Sequence, residues 1–281
     1  MLKSLDTRQL ALEFAARNTG PTYLARQFAT YPFHICRPFW LENDPKGMAT
    51  LYLQSCSGGL YGGERLSSSI RTRARAHAHV TTQASTIVHG LEGECAVTEL
   101  AIDAEESSFL EVFNEPLILL PQASVENRVA IHCAGDAVVL YGDAFLVHDP
   151  EGKQACFGTL DSTVSVHFDD ETRPSVLDRS LLTGSFFREA CPGASGRWPV
   201  QGTLYLLGRS PRLKDVVTRA LAWTGKEMPG AYVGGSELPF GSGAIFRIAA
   251  DGAVAYRRAS VELWRLIREQ LFGITPLPRR K

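Results

Sequence analysis

The stretch from Leu51 to His89 constrains the fold of this chain more than any other. Between Ile70 and Val88 the even positions carry small or apolar residues: Ile70, Ala74, Ala76, Ala78, Val80, Ala84 and Val88. The odd positions are polar or basic: Arg71, Arg73, Arg75, His77, His79, Thr81, Gln83 and Ser85. Successive side chains of a strand point to opposite faces, so a period of two predicts β structure. The run exceeds a normal strand of about 5–6 residues, and we divide it near Arg75-Ala76. Its apolar side is mostly alanine, so whatever packs on it must approach closely.

Short segments of the same kind fill the first two hundred residues. They include an edge strand over Leu10 to Ala16, a proline-bounded strand at Glu115 to Pro121, and a buried strand at Ala137 to Val147 carrying one acid, Asp143. Ala155 to Leu160 and Thr163 to Phe168 read as two further strands, with loops at Asp169 to Pro174 and Ala190 to Pro199. Helical spacing appears only late. Leu213, Val216, Val217, Ala220 and Leu221 follow an N-cap at Ser210 and a first-turn Pro211, and Gly225 can end that helix in a left-handed conformation. A second helix, capped by Asp251, places Val254, Ala255, Leu263, Leu266, Ile267 and Leu271 on one side and closes at Gly273. No strand–helix–strand alternation precedes them, which excludes a doubly wound parallel sheet. The expected fold is mainly β: layered or β-helix-like stacked sheets of many short strands, with two α-helices near the C-terminus.

Composition narrows the function. The formal net charge is −1 over 281 residues. Nucleic acid is therefore not the expected partner, because phosphate contacts need a basic surplus. No apolar run reaches the roughly 20 residues of a membrane span, and Met1 to Arg8 has no apolar signal core, so a cytoplasmic protein with no membrane partner is expected. The six cysteines are widely spaced with no Cys-x-x-Cys pair. They read as buried reduced thiols.

The motifs carry little chemistry by themselves. Gly58-Gly-Leu-Tyr-Gly-Gly63 lacks the Gly-Lys-Ser/Thr ending of a phosphate loop and leads into a strand. It reads as a close backbone crossing that holds the following carboxylate, Glu64, in a fixed position. His77 and His79 share one strand face, a spacing metals can use, but no third ligand stands nearby, and solvated or structural histidines are the simpler reading. Arg71, Arg73 and Arg75 form a solvated stripe or an interaction face. No Gly-x-Ser-x-Gly, Ser-x-x-Lys or His-Glu-x-x-His occurs. Glu105, Glu106, Glu111 and Glu115 could supply the carboxylate pair of a β-rich carbohydrate-active hydrolase.

Several motifs in order resemble the urease accessory protein UreD (UreH) family. They are Arg37-Pro-Phe39, Leu51-Tyr52, Gly58 to Glu64, Thr81 to Thr86, Leu110-Glu111 before Pro116 to Pro121, Leu177-Asp-Arg179 before Leu182-Thr-Gly184, and Gly243 to Arg247. Leu263-Trp-Arg265, Arg268 and Pro276 to Arg279 extend the likeness to the C-terminus. The resemblance implies one UreD-like domain over 1–281, with a helical portion at 208–273 and a basic tail at 274–281; within it, the composition of Pro276 to Lys281 predicts disorder when alone. The resemblance also implies a non-enzymatic scaffold. Such a protein binds UreF directly and UreG through UreF, docks on apo-urease, and passes nickel in transit along an internal polar tunnel, with no tightly bound cofactor. Transferred by motif, the tunnel-lining residues are Glu64, Ser85, Asp143 and Asp178. Gly58, Gly59, Gly62, Gly63, Thr81, Thr82 and Gln83 form the structural motif. The chain departs from the family pattern at Glu64, where Asp is usual, at His148-Asp149, where Gly-Arg is usual, and at Pro21, where Lys or Arg is common.

Overall fold

The computed structural model describes residues 8–169, 171–191, 195–277 and 279. Arg75 cuts the alternating run: its φ is 63° and the chain turns there. The two halves enter different sheets, and this is how the whole chain is wound.

In chain order the strands are β1 (Leu10–Ala15), β2 (Tyr23–Ala29), β3 (Phe33–Ile35), β4 (Ala49–Ser55), β5 (Arg65–Thr72), β6 (His77–Thr82) and β7 (Thr86–Val88). Next come β8 (Ala96–Ala104), β9 (Phe109–Phe113), β10 (Leu117–Leu119), β11 (Ser124–Cys133), β12 (Val138–Val147), β13 (Thr159–Phe168) and β14 (Val176–Thr183). Then follow α1 (Gly184–Arg188), β15 (Val200–Leu207), α2 (Leu213–Thr224), β16 (Ala231–Glu237), β17 (Gly243–Ala250) and α3 (Ala253–Phe272).

One sheet has seven strands in the order β14-β13-β11-β8-β5-β1-β2; the other has ten, with β16-β17-β15-β12-β9-β6-β4-β3 as its main path. From β5 onward the chain winds as a solenoid. Each of β5-β6, β8-β9 and β11-β12 gives one strand to each sheet, and the short β7 and β10 form a third side. Neighbouring coils stack in parallel: β5 on β8, β8 on β11, β6 on β9, β9 on β12. Parallel pairing arises here from coiling rather than from helical crossovers.

The close approach expected of the alanine face is met. Ala76, Ala78 and Val80 are fully buried between the sheets with Leu51, Ile70, Leu110, Val139 and Val166. The other face of the ten-stranded sheet is covered as well. There α2 and α3 lay Val216, Val217, Ala220, Ala259, Leu263 and Ile267 against Leu140, Leu204, Phe246 and Ile248. A third cluster, including Leu60, Val88, Leu119 and Phe157, fills the short side.

Several local readings change. Leu10–Ala15 is not an edge strand; it lies between β2 and β5. The two strands read at 155–160 and 163–168 are one, β13, which runs in unbroken register along β11. A third helix, α1, is one short turn capped by the Thr183 hydroxyl. β16 went unread because its alternation is weak and its middle is Gly234-Gly235. The expected caps also differ. α2 begins after Arg212, with no side-chain cap, and Gly225 has φ −74°, in the right-handed region. α3 is preceded by an extended Gly252, while Gly273 does take the left-handed cap at φ 67°. Of the cysteines only Cys133 is buried; Cys36, Cys56 and Cys95 are exposed, and all six are free thiols. Arg279 is 8% exposed and paired, so the basic tail is anchored at this point; Pro278, Arg280 and Lys281 lie outside the described residues. No helix among the described residues is long and apolar enough to cross a membrane.

Candidate functional site

Polar side chains gather in two places, one on each face of the ten-stranded sheet. The inner place is a pocket of about 410 Å³ between the sheets. Asp143 of β12, Thr203 and Tyr205 of β15 and Arg247 of β17 reach it from one sheet; Asn127 of β11, Ser162 of β13 and Asp178 and Ser180 of β14 reach it from the other. Strand alternation fixes this. In β12 the odd residues Val139 and Tyr141 pack in the inter-sheet core, and Asp143 continues the same row.

The two acids of the pocket are held differently. Asp143 Oδ2 accepts a hydrogen bond from Asn127 Nδ2 at 2.8 Å, and that amide also reaches Ser162 Oγ at 3.3 Å. Burial pushes the Asp143 carboxyl up to about 6, against hydrogen bonds from the Ala144 backbone, Tyr141 and Asn127. Asp178 Oδ2 accepts from the Tyr205 hydroxyl and from Arg247 Nη2, the latter at 2.6 Å. Burial first, and then the Asp178 hydrogen bond, drive the Tyr205 phenol well above its ordinary value. One acid therefore contacts a guanidinium, and the other has only neutral hydrogen-bond partners, with Arg247 acting on it from a distance.

The outer place is a buried ion-pair cluster beneath α3. His79 of β6 and Glu111 of β9 are directly opposed in the parallel ladder. His79 Nδ1 lies 2.7 Å from Glu111 Oε2, and the two side chains are 2% and 0% exposed. Arg268 of α3 binds Glu111 with two prongs, Nε–Oε1 at 2.5 Å and Nη2–Oε2 at 2.7 Å. Trp264, one turn earlier, donates its indole N–H to Glu111 Oε1 at 3.1 Å. Arg268 Nη1 also reaches Asp44 Oδ1 at 3.1 Å, and Arg279 Nη2 donates to both Asp44 oxygens at 3.0 Å. Burial would raise the Glu111 carboxyl, but Arg268 and the His79 hydrogen bond hold it well below its ordinary value. Burial lowers His79 to about 4 despite the carboxylate beside it, so the ring is neutral near pH 7. Two acids and two guanidiniums balance.

The residues taken from the family pattern do not converge. Asp143 and Asp178 face the inner pocket together. Ser85 lines a different cavity, on the outer side near His79. Glu64 lies in the glycine turn, where its Oε2 accepts from the Tyr61 N–H at 2.8 Å. The glycine run itself is a close crossing: a Cβ at Gly59 would lie 2.4 Å from the Ile87 carbonyl oxygen, and one at Gly62 would lie 2.7 Å from Glu94 Cβ. Gly63 has φ +80°, while Gly58 would meet only the Tyr61 hydroxyl, at 3.1 Å. At the end of β6, Thr81 Oγ1 donates to the Phe113 carbonyl at 2.5 Å, Thr82 Oγ1 accepts from the Glu115 N–H at 2.8 Å, and Gln83 N–H, just beyond the strand, donates to the Leu53 carbonyl at 2.8 Å. These residues stitch one coil to the next. Arg71 and Arg73 are exposed and paired, with Asp103 and Glu105 and with Glu13 respectively.

Sequence reasoning missed Asn127, Tyr205 and Arg247 in the inner pocket and the whole outer cluster. One signal was available for the cluster. Arg268 falls on the buried side of α3 beside Leu263 and Ile267, where an arginine needs a buried acid.

Comparison with known proteins decides the family. The family model described as UreD urease accessory protein matches residues 7–281. The chain belongs to the UreD family. A protein of Pseudomonas syringae pv. syringae named urease accessory protein UreD 1 is 33% identical over 280 residues, covering 100% of this chain and 98% of the relative. One of Methylorubrum extorquens with the same name is 36% identical over 277 residues, covering 97% and 91%. A third, from Bradyrhizobium sp. BTAi1, is 32% identical over 262 residues, covering 93% and 91%. These relatives are named as accessory proteins, not as enzymes. No three His, Cys, Asp or Glu side chains among the described residues converge as a closed metal centre.

Proposed function

We propose that this chain is a cytoplasmic scaffold in urease maturation. In this reading it binds UreF, recruits UreG through UreF, docks on apo-urease, and lets nickel pass through its interior without catalysing a reaction. The observation that carries this reading is membership of the UreD family along nearly the whole chain. The inner pocket supports the passage. A divalent ion moving through a protein interior needs oxygen ligands that neutralise it without trapping it. Asp143, Asp178, Thr203 and Ser180 offer such oxygens in one pocket between the sheets. The ion must compete with Arg247 for Asp178, which keeps the residence brief. Glu64 and Ser85 are proposed as separate stations, since they line neither wall of this pocket.

The test is co-expression with urease and its other accessory proteins. Asp143→Ala should be soluble and co-purify with UreF, while urease activity and nickel content fall severalfold. Normal activation removes Asp143 from the route; failure of the wild-type chain to co-purify with UreF removes the scaffold reading itself. A carboxylate pair with one raised member also fits acid–base chemistry on a sugar. Glycoside turnover by the purified chain would favour that second reading.

A further inference from the structure

On the outer face of the ten-stranded sheet, α3 roofs a second cavity of about 300 Å³. Its walls are largely apolar, from Phe113, Pro116, Leu146, Tyr256, Val261 and Trp264. Among the described residues, six buried side-chain polar atoms lack a hydrogen-bond partner; setting aside Glu13 Oε1, which is ion-paired with Arg73, four of the remaining five belong to residues that bound this cavity. They are His79 Nε2, Asn114 Oδ1, Arg279 Nε and Arg279 Nη1. Leaving a buried polar atom unpaired is costly, so water or a ligand must pair these four, and the largely apolar walls favour a ligand with few polar atoms over a pool of water.

The polarity of that ligand follows from the cluster beside it. Glu111 is ionised and can only accept, so the proton of His79 sits on Nδ1 and Nε2 presents a lone pair. The cavity therefore offers two acceptors, His79 Nε2 and Asn114 Oδ1, and two donors, the Arg279 N–H groups. Its charge follows as well. Arg279 is matched by Asp44, and the remaining charged residues of the lining, Arg257 and Glu115, are of opposite sign. A metal ion fits poorly beside two guanidiniums. A carboxylate can accept from Arg279 but has no N–H for His79. A neutral group with a carbonyl next to an N–H satisfies both sides.

We propose that this cavity binds a neutral amide. Its carbonyl faces Arg279, its N–H faces His79 and Asn114, and its apolar remainder lies among Phe113, Leu146 and Trp264. The amide can come from a free small carboxamide or from a polypeptide, and the site does not depend on the nickel reading.

The test titrates the full chain with benzamide, benzoate, toluene and N-acetyl-leucine methylamide, following the histidine ring nitrogens by NMR. Saturable binding of an amide, with the His79 Nε2 signal displaced and benzoate and toluene at least about tenfold weaker, supports the proposal. Tighter binding of the capped leucine assigns the amide to a polypeptide; tighter binding of benzamide assigns it to a free molecule. Asn114→Leu should weaken amide binding about three- to tenfold and leave toluene unaffected. His79→Leu should do the same, and if that variant does not fold, Asn114→Leu still decides. No saturable binding by either amide, equal affinity for benzamide, benzoate and toluene, or amide affinity unchanged in Asn114→Leu would overturn it.

Discussion

The two faces of the ten-stranded sheet solve the same problem, buried charge, in opposite ways. Under α3, each acid has a guanidinium: Glu111 with Arg268, Asp44 with Arg268 and Arg279. Between the sheets only Asp178 has one, Arg247, while Asp143 rests on an amide, backbone and phenol. The outer cluster pins a helix and the chain terminus to the sheet, and its strength lies in matching two buried acids with two guanidiniums. The inner pocket keeps an acid poised near neutrality, which suits a group that binds and releases a cation. A charge-balanced network serves architecture; a buried acid without an ion pair leaves room for chemistry.

The largest effect should come from unbalancing the outer network. Arg268→Ala strands the buried Glu111 carboxylate, while Asp44 keeps Arg279, and should cost about 3–5 kcal/mol, seen as a lower urea midpoint. A loss below about 1 kcal/mol would mean the cluster is not the clasp of α3.

Acid comes next. His79 is held neutral, with its folded value near 4 against an ordinary 6.5. Its contribution is full above about pH 6.5 and is lost as the pH falls toward 4, amounting to about 3 kcal/mol. Glu111, also held low, adds to the loss at still lower pH. Unfolding followed by urea across this window should therefore show falling stability, and His79→Gln should flatten the curve.

Asp143 runs the other way. Its raised value means the ionised carboxylate costs stability above about pH 6 and that this cost fades as the pH falls toward 3.8. Discounted for its part-exposed position, Asp143→Asn should stabilise the chain by about 1–2 kcal/mol at pH 8 and by little near pH 4. A destabilised Asp143→Asn at pH 8 would erase the contrast between the two sites. The smallest effect belongs to the outer surface of the seven-stranded sheet. Arg71→Ala breaks exposed pairs with Asp103 and Glu105 and should change stability by less than about 1 kcal/mol.

The hydrophobic pattern determined a good deal. Period two gave the strands, the small Ala76, Ala78 and Val80 face gave close sheet stacking, and 3.6-residue spacing gave α2 and α3, since each is a local rule of side-chain direction. The ordered motifs also gave the family. What the pattern could not supply was the second face of β6. His77 and His79 read as solvated or structural, because polar residues on alternate positions of a strand usually face water. Here α3, almost two hundred residues later, covers His79 with Trp264 and His77 with Phe272. The register that sets Glu111 opposite His79, and the coil that brings Asp178 across from Asp143, depend on contacts far apart in the chain. No local spacing encodes them, so only the folded coil decides which acids find an arginine and which do not.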